Sequence, residues 1–260
     1  MKHRIAFSVF VLCWGSAGLA GPAASSVVAQ SDSGTFRIHA PGIANATVDV
    51  VRDDLVWSED RIARLLGVFP DTVSVRIFPD RQEFAAALRE AWGLSDTACW
   101  MVGGADDHVL YLLSPAVWGE EACDHDPGDD LHRRMLVAHE AVHVFHGQVN
   151  PSEDLGLLED LGWFIEGLAT YASGQFESSH TDRAREAVAA GVVPKRMNEA
   201  WSGPFRYGVA GSMAAFIDHQ WGRQTLRDAL TLTSQAALLN LLGTTEPAFL
   251  EEWESWVRVR

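Results

Sequence analysis

The clearest chemistry in this chain sits near its middle, in His139-Glu140-Ala141-Val142-His143. The stretch from Met135 to Phe145 has a helical pattern, and on a helix positions i and i+4 share a face. Two imidazoles there can meet one zinc ion at about 2.0–2.1 Å. Glu140, one residue on, is rotated about 100° around the axis. It can reach a water held by the ion and take its proton without being a ligand. Taken alone, the same residues also fit a helix with two half-buried histidines and a solvated glutamate.

A catalytic zinc site needs a third protein ligand. Glu166 lies 23 residues after His143, in Trp163-Phe-Ile-Glu166-Gly-Leu-Ala-Thr-Tyr171. Gly147 and Asn150-Pro151 turn the chain, so a second helix can return antiparallel to the first. Glu166 sits among Phe164, Ile165 and Leu168, where a carboxylate is costly to bury unless paired or metal-bound. The alternative is a surface glutamate on an amphipathic helix.

Those two motifs together resemble the gluzincin metallopeptidases, in their peptidase MA-like branch. Tyr207 to Gly222 and the closing Phe249 to Trp256 are similar to that branch as well, and the likeness spans about residues 35–258. The resemblance implies a zincin (thermolysin-like) catalytic fold and one catalytic Zn2+. It implies His139, His143 and Glu166 as metal ligands and Glu140 as general base. It also implies Tyr207 as the phenol that stabilises the oxyanion, with Arg206 and His219 as rivals.

The chain departs from the family in places. It lacks the G-x-M-E-N segment that anchors a substrate amine, and Val102 to Asp107 occupy the comparable region. Thermolysin-like enzymes carry an aspartate four residues after the third ligand. Here that residue is Thr170, which could accept a histidine N–H. Val149 stands where a metzincin would have its third histidine, which excludes that pattern. His146 reads as a residue near the helix C-terminus rather than a ligand, and His132 as a border of the cleft. His125, with Asp124 and Asp126, reads as a solvated loop. Trp118 and Trp163 read as core, and Trp100 as core or cleft.

The elements that must position these groups fall into two sets. Strands are expected at 35–39, 73–78, 99–102 and 109–113. A helix begins near Asn45, a possible cap, and another is marked by Phe84, Leu88 and Trp92. After residue 124 the expected helices are 130–147, 157–174, 180–191, 205–221, 223–233 and 246–258. The expectation is an α+β fold: a small α/β lobe with a mixed sheet and an edge strand (35–124), then a helical lobe (125–258). Val109–Leu113 is the expected edge strand, to which an extended peptide could add by main-chain hydrogen bonds.

The N-terminus points to export. Lys2, His3 and Arg4 precede an apolar run from Ile5 to Trp14 and small residues up to Ala29, the layout of a signal peptide over residues 1–29. The run is short for a membrane span, though an uncleaved anchor is the alternative. The expected location is secreted or otherwise extracytoplasmic. Cys99 and Cys123 remain after cleavage. Two thiols in an oxidising compartment tend to pair, stapling the loop that holds Gly103-Gly104; two unpaired buried thiols are the alternative.

The 260 residues carry 35 acidic and 20 basic side chains, for a net charge of −15. Losing Lys2 and Arg4 makes it −17. Such a surface disfavours nucleic acid as a partner. The 47% hydrophobic content is that of a globular chain. The expected function is therefore a secreted zinc-dependent peptidase acting on a peptide or protein substrate, with no stable membrane span. The competing readings are a non-catalytic zinc-binding pseudopeptidase and a zinc amidase acting on cell-wall material.

Overall fold

The computed structural model describes residues 28–30, 34–152 and 154–260. The expected signal segment, residues 1–29, lies outside the described residues, except that Val28 and Ala29 belong to the first strand.

In chain order the elements are β1 (Val28–Gln30), β2 (Phe36–His39), α1 (Asn45–Leu65), β3 (Val73–Phe78), α2 (Arg81–Trp92), β4 (Gly103–Ala105), β5 (Val109–Leu113) and the short α3 (Trp118–Glu121). The helical part follows with α4 (Asp130–Val149), α5 (Gly162–Ser173), α6 (Thr181–Ala189), α7 (Arg206–Trp221), α8 (Arg223–Ala229), α9 (Gln235–Leu242) and α10 (Glu246–Val259). The fold is α+β, with one small mixed sheet and ten helices among the described residues. None of these helices is long and apolar enough to cross a membrane.

The sheet order is β1-β2-β3-β5-β4. Strands β2, β3 and β5 are parallel, and β1 and β4 pair antiparallel at the two edges. Alternation along the strands divides the core in two. Val73, Val75, Ile77, Leu110 and Leu112 face the main core with α1, α4 and α5. Phe78, Tyr111 and Leu113 face the other way, onto Phe84 and Leu88 of α2 and onto Trp118.

Several expectations need correction. Strand β5 lies between β3 and β4, so Val109–Leu113 is not the edge. The edge is Gly103–Ala105, in the segment that reads as a turn, and residues 99–102 form no strand. Asn45 is not the cap: Ala44 holds the cap position, and its side chain accepts no hydrogen bond. The segment before Gly162 forms 3-10 turns rather than α-helix, and α9 was not anticipated.

Cys99 and Cys123 form a disulfide. Arg81 fills the loop it closes, donating to the carbonyls of Ala98, Cys99, Met101 and Glu121. The backbone leading into β4 is thus tied to the start of α2.

Candidate metal centre

Helix α4 carries the histidines, and both of its ends are fixed. At the start, Asp129 accepts from His132 N–H at 2.9 Å. Arg133 and Arg134 then grip Asp54 of α1, with nitrogen–oxygen distances of 2.6 and 3.1 Å. Toward the other end, a Cβ on Gly147 would stand 3.0 Å from Asp107 Cα, so the β4–β5 turn lies directly on the helix.

Helix α5 brings Glu166. It packs on α7 so closely that a Cβ on Gly167 would lie 2.3 Å from the Ala210 carbonyl oxygen. The glycine beside Glu166 is what permits this approach. Tyr171 completes the joint, donating to Asp218 Oδ2 at 2.5 Å, while Arg223 grips the same carboxylate from α8.

These elements bring His139, His143 and Glu166 together, with one donor atom from each inside a mutual 4.8 Å. Glu166 Oε2 stands 3.4 Å from His139 Nε2 and 3.7 Å from His143 Nε2. Tetrahedral ligands at about 2.0–2.1 Å from an ion are about 3.3–3.4 Å apart, so the spacing fits a metal ion. The hydrogen bonding fits too. His139 Nδ1–H donates to Gln175 Oε1 at 2.8 Å, a bond that would turn the Nε2 lone pair of the neutral ring toward a metal ion. Burial raises the Glu166 carboxyl, but His143 and His139 outweigh it and hold the group well below the usual carboxylate range.

Glu140 lies on the neighbouring face of α4, under the sheet edge. A Cβ on Gly103 would meet its Cγ at 2.6 Å. Burial pushes its carboxyl up to about 7, and Glu166 adds to the rise against the opposing pull of His139. A carboxyl so placed changes protonation near neutral pH, as a general base requires.

Tyr207, in the first turn of α7, sits beside the cluster with its ring 6.3 Å from that of His139. It stacks on His180 at 5.4 Å and meets Trp201 edge-on. Burial and then Glu166 raise its phenol to about 12, so it is a hydrogen-bond donor at neutral pH. Arg206 also lines the cavity, whereas His219 packs on Trp256 in the last turn of α7. His139, Glu140, His143, Glu166, Arg206 and Tyr207 line one cavity of about 450 Å³, walled by Trp92, Trp100 and Trp201 and by the β4 backbone.

Other residues fall differently from the sequence reading. Thr170 does not hold a histidine; its hydroxyl donates back to the Glu166 carbonyl at 2.8 Å. Gln175 does that work, reached because Gly174 ends α5 at a φ of 92°. His146 is in the last turn of α4 and outside the ligand group, as expected, but it is buried and its Nε2–H donates to the Leu230 carbonyl at 3.1 Å. His125 lies in an exposed loop between Asp124 and Asp126, as expected, but its ring is held. It packs on Trp118, accepts from His132 at 3.2 Å and donates to the Trp100 carbonyl at 2.7 Å. Gln175, His180 and Trp201 were missed, since no spacing in the sequence links them to the motif. No protein-family model matches the chain, and no curated protein matches it.

Proposed function

We propose that the protein is an exported zinc metallopeptidase of the gluzincin type, with a thermolysin-like zincin fold, hydrolysing peptide bonds. The observation that carries this reading is the juxtaposition of His139, His143 and Glu166 with Glu140 in one cavity under a free strand edge. Two imidazoles and one carboxylate are a donor set suited to zinc, leaving a coordination position open. The antiparallel edge strand running beside α4 supports the fold reading, and the Cys99–Cys123 disulfide is consistent with export.

In this reading His139, His143 and Glu166 hold the ion, and Gln175 orients the His139 ring. When bound, zinc supplies a Lewis acid that acidifies water and polarises the scissile carbonyl. Glu140 takes the proton of the attacking water and passes it to the leaving amine. Tyr207 donates its O–H to the oxygen on which negative charge develops. The outer edge of Gly103–Ala105 aligns an extended peptide by main-chain hydrogen bonds.

The test is Glu140→Gln, which keeps the ligands and removes the base. It should bind zinc stoichiometrically and lose at least about 100-fold in peptide cleavage. Cleavage at the wild-type rate by the zinc-loaded variant would sink the mechanism.

A further inference from the structure

Arg206 is the one lysine or arginine among the residues lining the cavity. Its guanidinium lies 5.2 Å from the Tyr207 ring centre, 5.5 Å from that of Trp201 and 5.9 Å from that of Trp100. Other arginines here have carboxylate partners: Arg133 has Asp54, Arg223 has Asp218, and Arg183 has Glu186. Among the described residues Arg206 has none, and its contacts are the three rings and the Tyr207 phenol. The first turn of α7 adds no acidic side chain. Aromatic faces hold a guanidinium in orientation but leave its in-plane N–H donors free, in the fork that matches a carboxylate.

The cavity is polar along its length. Tyr207 packs at His139, whereas Asp107 lies on Gly147, two turns further along α4. Eight residues of helix separate these levels by about 12 Å. Glu166 and Glu140 also act on Tyr207, but Glu166 is turned onto the two imidazoles; a ligand carboxylate is therefore drawn to the guanidinium itself and repelled from the Asp107 end. From this we infer that Arg206 is a specificity-determining residue that anchors a carboxylate of the substrate, either the C-terminal carboxylate of a peptide or an aspartate or glutamate side chain. The contacts through Tyr207 put this anchor within about 12 Å of the His139 ring, which an extended peptide spans in three or four residues. The scissile bond thus falls within about four residues of the anchored group. This inference rests on the peptidase reading for its reaction, but not for its binding.

The experiment uses N-acetylated tetrapeptide libraries titrated calorimetrically into zinc-loaded Glu140→Gln protein. One library ends in a free carboxylate, one in an amide, and a third is amidated with glutamate at one position. Free-acid or glutamate-bearing peptides should bind at least tenfold tighter than plain amides, and which of the two does so identifies the source of the carboxylate. Arg206→Gln should reduce that ratio to within threefold, and Arg206→Lys should keep part of it. Equal affinities in the Glu140→Gln protein, or no binding by any library, would overturn the anchor without reference to any Arg206 variant. Wild-type enzyme that cleaves acids and amides alike leaves a peptidase without this anchor. Discriminating binding with no cleavage by wild type leaves the anchor and removes the peptidase.

Discussion

Helix α4 builds two buried carboxylate clusters about two turns apart, and they are made differently. Asp54 is fully buried and is gripped by Arg133 and Arg134 at 2.6 and 3.1 Å. Glu166 keeps 16% of its side chain exposed and faces two imidazoles across 3.4 and 3.7 Å. The first cluster is closed by direct hydrogen bonds between a carboxylate and two guanidinium groups. Burial pushes the Asp54 carboxyl up and outweighs the downward pull of Arg133 and Arg134, while bonding to Asp54 pushes the Arg133 guanidinium up. The second cluster is held open by a gap of an ion's size and borders a cavity. One fastens α4 to α1, and the other is spaced to hold a ligand.

That contrast makes the largest predicted effect a difference between two substitutions. Asp54→Asn leaves a buried guanidinium without its counter-charge and should cost about 3–5 kcal/mol of stability, with or without metal. Glu166→Gln should leave the chelated protein within about 1 kcal/mol of wild type but abolish the response to zinc. With zinc at about 100 times its Kd, wild type should gain about 2.7 kcal/mol. Denaturant titrations with and without chelator read both quantities. A Glu166→Gln protein that keeps the full zinc stabilisation would erase the distinction.

The same helix buries His146, a third kind of group, whose ring bonds a backbone carbonyl rather than a counter-charge. Burial and then His143 lower its imidazole to about 3, against the upward pull of the Leu230 carbonyl. Free imidazole titrates near 6.5, so below that pH the unfolded chain takes a proton that the native chain refuses. Stability is then full above about pH 6.5 and falls toward pH 3, by an amount on the order of a few kcal/mol. His146→Gln should flatten this slope when both proteins are measured with chelator present. An unchanged slope would place the acid sensitivity elsewhere.

A smaller effect sharpens the open cluster. Gln175→Ala removes the acceptor of the His139 N–H and should weaken zinc binding by about 10–100-fold. Thr170→Val removes only a bond back to its own helix and should change affinity by less than about threefold. Competition titrations with a chromophoric chelator distinguish them, and the reverse order would return the supporting role to Thr170.

What could be read from the sequence follows from the range of the forces involved. His139, His143 and Glu140 are visible because helical periodicity alone puts them on adjoining faces. Glu166 is visible because a carboxylate among apolar neighbours calls for a partner. Strand β3 is found at the expected residues because Val73, Val75 and Ile77 alternate with polar or half-exposed ones. Gln175 meets His139 across 36 residues with no pattern joining them. The edge strand hides for a different reason. Glycine is depleted in strands, yet Gly103 and Gly104 are required because Glu140 and Trp92 leave no room for a Cβ. The edge strand is thus made of the residues that local propensity argues against.

The smallest effect lies inside the closed cluster. Arg133 and Arg134 are adjacent in sequence and bind the same carboxylate, but the Arg133 side chain is 7% exposed and that of Arg134 is 41% exposed. An exposed ion pair is screened by water and contributes about 0–1 kcal/mol. A buried one leaves an unpaired charge when broken and costs several times more. Arg134→Gln should therefore lower stability by less than about 1 kcal/mol, most of it recovered in 1 M salt. Arg133→Gln should approach the loss caused by Asp54→Asn and respond little to salt. If the two substitutions proved equal, burial would not be what separates the fastening cluster from the open one, and the exposure of Glu166 would lose its meaning as the mark of a binding site.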